Sequence, residues 1–197
     1  MSETVTNSVD FLFEKYNFAW REPHFRNLCK TLLEKDRPLC IVETGCMRPP
    51  CLPDHEFEDG QSTLVWDLLA RITNGRCITI DINPQNIEYA KERVSNRTDL
   101  ICGDSIPILS TFTPPAMIDL LYLDSMDLKE GVELDSALHH AGELAAAWKW
   151  VPSGGIVAVD DCVGPFIGKH ALIRCYFEIL GNLHPRALGN ISWWERP

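Results

Sequence analysis

The stretch Cys40-Ile41-Val42-Glu43-Thr44-Gly45-Cys46 sets the reading of the whole chain. With Leu39 before it, its first half is apolar without polar alternation, which predicts a short strand buried on both faces, as in a parallel sheet. Glu43 then stands at the strand's carboxyl end, and Gly45 lets the backbone turn close to a ligand. Ligands of open α/β sheets bind beyond the carboxyl ends of the strands, so acids at those ends are informative. The same pattern of apolar run and acid returns three times. Cys77-Ile78-Thr79-Ile80 ends in Asp81, residues 118–123 end in Asp124, and Ile156-Val157-Ala158-Val159 ends in Asp160-Asp161. A further strand, Leu100-Ile101-Cys102, ends at Gly103-Asp104-Ser105.

Helical patterns lie between these strands. Ser62 is placed to cap a helix carrying Leu64, Leu68 and Ile72, and Asn83-Pro84 starts another carrying Ile87, Ala90 and Val94. A long helix after Asp124 sets Leu134, Leu138, Ala141, Ala145 and Trp148 on one face, with His139-His140 between them, one partly buried and one exposed. After Gly168 a last helix carries Leu172, Cys175, Tyr176 and Ile179, and residues 183–194 supply two closing strands, with Trp193-Trp194 packing there. Alternating strands and helices predict an α/β, doubly wound, mostly parallel sheet of seven strands. Upstream, residues 8–36 read as two helices broken at Glu22-Pro23, one with Phe11, Leu12 and Phe18, the other with Phe25, Leu28, Leu32 and Leu33. The expectation is one domain over 1–197, with residues 1–37 a helical N-terminal extension over the α/β core of 38–197. That extension covers a sheet edge or forms a partner interface, which leaves a homodimer open. Residues 47–60 form a long loop with Pro49, Pro50, Pro53 and a charged tip of Asp54, His55, Glu56, Glu58 and Asp59, and loops of this length often carry function.

At 197 residues, 45% hydrophobic and 23% charged, the chain has the make-up of a globular protein. A formal charge of −10 argues against tracking a nucleic-acid backbone, since no basic field attracts phosphates. No apolar run reaches the length of a membrane span, and Met1-Ser2-Glu3-Thr4 lacks a signal pattern, so the expected address is cytoplasmic. Among the eight cysteines, Cys40, Cys77, Cys102 and Cys175 lie in apolar segments and read as reduced core thiols. Cys46 and Cys51 have no second pair at zinc spacing.

The strand-end acids also speak to the cofactor. Asp81 lies about one βαβ unit beyond Glu43, where an acid accepts hydrogen bonds from the two hydroxyls of an adenosine ribose; an exposed turn aspartate is the ordinary alternative. A dinucleotide needs several glycines at its pyrophosphate, and only Gly45 is present here. S-adenosylmethionine has no phosphate. Glu43 can hold its ammonium side and the amides at the start of the Ser62 helix its carboxylate, so the turn favours this cofactor over NAD, with an NAD-binding oxidoreductase as the rival.

These residues resemble the class I S-adenosylmethionine-dependent methyltransferases, whose fold is Rossmann-like. Glu43-Thr44-Gly45 is similar to the first motif, Asp81 to the second, Gly103-Asp104-Ser105 to the adenine-side turn and Leu123-Asp124 to the fourth-strand motif, a likeness spanning residues 39–161. The run from Asp124 through Glu130-Gly131-Val132, and Pro152-Ser153-Gly154-Gly155 before Val159-Asp160-Asp161, resemble small-molecule O-methyltransferases, including the metal-dependent catechol and caffeoyl-CoA types. The resemblance implies that Glu43, Gly45, Cys46 and Ser62 surround the methionine moiety, Asp81 and Ile82 the ribose, and Asp104 and Ser105 the adenine. It further implies that Asp124, also at the cofactor, binds a divalent cation with Asp160 and Asp161. Three converging carboxylates repel one another, and a hard cation such as Mg²⁺, or Mn²⁺ or Ca²⁺ in its place, would relieve this and activate an acceptor hydroxyl. Asp161 stands where metal-dependent families often carry asparagine. Asp127 stands near the position of their lysine base, with Lys129 and His170 as other base candidates. The implied activity is methyl transfer to a hydroxyl of a small molecule; a binding module without catalysis is the second rival.

Overall fold

The computed structural model describes residues 3–16, 18–49, 61–164 and 166–197. Strand β1 (Cys40–Thr44) is buried along its whole length, which is why its sequence shows no polar alternation. Strands β2 (Arg76–Asp81) and β4 (Leu120–Leu123) pair with it in parallel on either side. β3 (Thr98–Cys102) pairs beyond β2 and β5 (Ile156–Val159) beyond β4, both parallel, and β8 (Ser192–Glu195) closes the sheet antiparallel to β5. The order is β3-β2-β1-β4-β5-β8. Strand order reverses between β1 and β4, which opens a crevice at their carboxyl ends. β6 (Cys162–Gly164) and β7 (Ile167–Gly168) form a separate small antiparallel pair.

Among the described residues the main sheet has six strands, where the sequence suggested seven. Residues 183–191 carry Pro185, Gly189 and Asn190, and they contribute a single bridge, Ala187 to Trp193, on the outer side of β8. A proline removes a ladder donor and the Gly-Asn pair favours a turn, so pairing stops there.

Period-two alternation sorts the buried strand residues between two cores. Ile41, Leu120, Tyr122, Ile156, Ala158 and Trp193 face one, with Phe25, Leu28, Leu32, Trp66 and Leu69. Val42, Leu121, Leu123, Val157, Val159 and Trp194 face the other, with Leu144, Ala147, Ile173 and Phe177. Each large apolar side chain so buried contributes roughly 1.5–3 kcal/mol.

The N-terminal helices α1 (Glu3–Lys15) and α2 (Glu22–Leu33) belong to the first core. Glu22-Pro23 begins α2 instead of breaking a helix, as suits a proline in the first turn. Val9 and Phe13 face inward while Phe11 is exposed. Helices α3 (Ser62–Ile72), α4 (Pro84–Lys91) and α5 (Ser105–Thr111) follow β1, β2 and β3. Asn83 caps α4 by accepting the Gln85 N–H at 2.9 Å. Ser62 does not cap α3; Gln61 holds that position, and the Ser62 hydroxyl turns into the site.

Two later helices depart from their expected faces. In α6 (Glu133–Ala147), Leu134 and Leu138 are exposed, whereas Ser136, Ala137, His140, Glu143, Leu144 and Ala147 are buried. The short α7 (Ala171–Arg174) runs into a π-helical stretch, Cys175–Leu180, whose wider turn brings Ile173 and Phe177 inward and leaves Tyr176 and Ile179 outside. All described cysteines are free thiols; Cys40 and Cys77 are core, but Cys102 is exposed and Cys175 half-buried. Among the described residues no helix is long and apolar enough to cross a membrane.

Candidate active site

The crevice is built around Gly45, whose φ of +84° suits glycine. A Cβ there would stand 2.4 Å from the Asp124 carbonyl oxygen, so the ends of β1 and β4 approach too closely for any side chain. Asp81, at the end of β2, accepts the Cys46 N–H at 2.9 Å, the Asn83 N–H at 2.7 Å and the Asn86 amide at 3.2 Å. These donors aim its carboxylate at a cavity of about 290 Å³, walled by Gly45, Asp81, Ile82, Asp104 and Ser105 together with Ile80, Gly103, Ser125, Met126 and His139. A second cavity of about 310 Å³ shares Gly45, Asp81, Ile82, Ser125 and Met126 and continues to Arg48, Asp127 and Lys129. Ile82 is 73% exposed, an apolar surface left open at the mouth.

Glu43, Cys46 and Ser62 stand one layer beneath these walls. Glu43 is fully buried and accepts hydrogen bonds from Ser62 Oγ at 2.7 Å, Thr79 Oγ1 at 2.8 Å and Thr63 Oγ1 at 2.9 Å. Burial pushes its pKa up to about 8, against the pull of the three hydroxyls. Thr63 also accepts the Met47 N–H at 3.0 Å, tying α3 to the turn after β1.

The polar face of α6 closes the opposite wall. Glu143 is buried and accepts from Ser125 Oγ at 2.6 Å and from Ser105 Oγ, with His139 Nε2 at 3.3 Å. Burial alone would raise this carboxyl; the His139 hydrogen bond, the nearby His140 and the two serine hydroxyls hold it below the usual range, and Glu143 in turn raises His139. His140 is buried, donates from Nδ1 toward the Ser136 carbonyl at 2.7 Å, and is driven by burial down to about 4, so it is neutral at pH 7. Asp104 faces the cavity and also caps α5 through the Ile106 N–H at 3.1 Å.

Asp124, Asp160 and Asp161 do gather at neighbouring strand ends, but they are divided between two side-chain cations instead of converging on one metal position. Lys169 Nζ lies 2.5 Å from Asp124 and 3.0 Å from Asp161. Arg21 reaches 2.8 Å from Asp160, which also accepts the Tyr122 hydroxyl at 2.6 Å, the Asp161 N–H at 2.8 Å and the Asn190 amide at 3.3 Å. Among the described residues no group of three metal-ligating side chains is arranged to hold an ion. Burial pushes Asp124 upward, opposed by Lys169, while the two carboxylates hold Lys169 above its ordinary value despite burial. As they stand, these side chains do not fit a divalent cation.

Asp127 pairs with Arg48 at 2.5 Å, and Lys129 lies 3.6 Å away. Partial burial would raise Asp127, but the Arg48 hydrogen bond and charge outweigh it and bring the pKa below the ordinary value. That keeps Asp127 ionised and makes it a weaker base. His170 is buried, driven down to about 4, and stacks on Trp194 at 6.5 Å. Residues 50–60, with Cys51 and the charged tip of the loop, lie outside the described residues.

Arg21, Tyr122, Lys169 and Glu143 escaped sequence reasoning. Arg21 and Asp160 are 139 positions apart and Lys169 and Asp124 are 45 apart, separations that leave no local signature.

The methyltransferase-domain family model matches residues 58–162, more than half of the chain. No curated protein matches the sequence significantly. Among solved structures, the O-methyltransferase NovP is similar at a TM-score of 0.63 and 15% identity, over 89% of this chain and 79% of that one. Cofactor-bound Rv0187 from MTB gives 0.62 and 16%, over 98% and 87%. The MycE methyltransferase of the mycinamycin biosynthetic pathway, in complex with Mg, SAH and mycinamycin VI, gives 0.62 and 15%, over 97% of this chain but 54% of MycE. At such identities the likeness speaks for the fold.

Proposed function

Because the chain belongs to the methyltransferase-domain family, we propose that it transfers a methyl group from S-adenosylmethionine to a hydroxyl oxygen of a small molecule. The observation that carries this reading is the Asp81 carboxylate, fixed by three donors on a cavity wall beside the positive-φ turn at Gly45. This donor set fits a nucleoside. Asp81 accepts from the ribose hydroxyls, Ile80, Ile82 and Met126 offer apolar surface to the base, and Asp104, Ser105 and His139 meet its polar edge. Glu43, locked by Ser62, Thr63 and Thr79, stiffens the β1 end beneath the sulfonium and ammonium side.

The cofactor, when bound, would supply a sulfonium-bound methyl group for the acceptor oxygen, leaving as S-adenosylhomocysteine while the acceptor hydroxyl's proton is lost to water. The cavity extending to Arg48, Asp127 and Lys129 is where the acceptor lies. Asp127 orients its hydroxyl as a hydrogen-bond acceptor, and because Arg48 weakens it as a base, the favoured hydroxyl is itself acidic, as in a phenol. Magnesium accompanies MycE, whereas in this chain Asp124, Asp160 and Asp161 are engaged by Lys169 and Arg21, so no step is assigned to a divalent cation. A single domain over 1–197, a cytoplasmic address and a small hydroxylated acceptor belong to the same proposal.

The test is calorimetry with S-adenosylhomocysteine, followed by labelled methyl transfer to a panel of phenols, catechols and sugars. Binding and transfer to a phenolic member are expected. No binding sinks the proposal, binding of NAD instead restores the oxidoreductase rival, and binding without transfer to any member restores the non-catalytic one.

A further inference from the structure

We propose that the Lys169 ammonium is the resident cation of the strand-end carboxylates, taking the place between Asp124 and Asp161 that a metal would occupy, and that the protein works without one. The inference rests on the methyl-transfer reading for its consequence, but its geometry stands alone. Lys169 Nζ bridges the two carboxylates at 2.5 and 3.0 Å, with the side chain 1% exposed. Those are hydrogen-bond distances; Mg²⁺ demands oxygens at about 2.0–2.1 Å and usually keeps several waters, and a buried ammonium leaves no room for that shell. Asp160 offers nothing more. A carboxylate has about four lone-pair positions. Those of Asp160 are met by Arg21 and Tyr122 on Oδ2 and by the Asp161 N–H and Asn190 on Oδ1.

The backbone is shaped to deliver this lysine. Asp161 takes a φ of 51° and Gly168 one of +108°, and a Cβ on Gly168 would stand 2.3 Å from the Asp161 carbonyl oxygen. The β6–β7 hairpin therefore folds back onto Asp161 and places Lys169 directly after the contact. Lys169 is a positioning residue. It neutralises Asp124, whose backbone abuts Gly45, and fixes the Asp124 and Asp161 carboxylates.

The test titrates Mn²⁺ into the full chain, read by electron paramagnetic resonance, for wild type, Lys169→Met and Lys169→Ala, with circular dichroism to confirm folding. Wild type should leave the Mn²⁺ signal free, and methyl transfer should be unchanged by EDTA. Removing the ammonium should raise Mn²⁺ affinity by roughly tenfold or more, since a like charge a few ångströms away is gone. A gain of Mn²⁺ binding is not something a merely structural lysine would produce. Wild type binding Mn²⁺ and losing it in Asp161→Asn overturns the inference, as do folded variants that gain no affinity. Should neither variant fold, the wild-type titration with its EDTA arm decides. Failure of S-adenosylhomocysteine binding tells against the methyl-transfer reading and leaves the Mn²⁺ result to stand separately.

Discussion

Strand β4 is bracketed by two carboxylates, the buried Asp119 before it and the partly buried Asp124 after it, and they are neutralised in different ways. Asp119 meets Arg37 at 2.5 Å and accepts the Cys40 N–H at 3.0 Å, and Arg37 itself is 51% exposed. Asp124 meets Lys169, a cation buried more deeply than its partner, and the neighbouring, fully buried Asp160 meets the buried Arg21. At the amino end water and Lys35, 4.0 Å from Asp119, can stand in for Arg37; at the carboxyl end the cations are the buried Arg21 and Lys169. The end beside the cavities is therefore the one where each charge depends on a specific side chain.

The largest expected effect tests that contrast directly. Arg21→Ala strands the Asp160 charge and should cost about 3–5 kcal/mol in a denaturant titration, whereas Arg37→Ala should cost about 1 kcal/mol or less. Equal losses would erase the distinction between the two ends.

Glu43 sharpens the comparison as a buried carboxyl with hydroxyl partners and, among the described residues, no cation in hydrogen-bond contact. Its ordinary pKa of 4.5 is raised to about 8 in the folded chain. The folded state then holds its proton where the unfolded state has lost it, so stability falls as pH climbs through that window, by as much as about 5 kcal/mol. Glu43→Gln should flatten the fall in melting temperature between those pH values; an unchanged slope would mean that Glu43 is ionised in the folded protein.

A smaller effect separates ligand binding from stability. Asp81→Asn should weaken S-adenosylhomocysteine about 10–100-fold by calorimetry, the value of hydrogen bonds to a charged acceptor. An equal loss in Arg76→Ala, at the other end of β2, would mean that the effect travels through the strand and not through the cavity.

The sheet was legible because burial on both faces writes strands as unbroken apolar runs, and β1, β2, β4 and β5 each end in the acid that the sequence displays. Asp81 and Gly45 followed from the same logic. The face of α6 was not legible: Leu134 and Leu138 have core spacing, yet the helix turns Ser136, His140 and Glu143 inward because it packs on a polar strand end. Nor was the pairing of the acids. A run of sequence shows that carboxylates reach one rim, but the cations that neutralise them arrive from α2's approach and from the β6–β7 hairpin, contacts set by tertiary folding alone.

The closing strand has a consequence for how the molecule assembles. Trp193 and Trp194 sit side by side on β8 yet belong to different cores, one on each face of the sheet. Neither layer is complete without β8, so a chain cut short before residue 192 would leave both open to solvent.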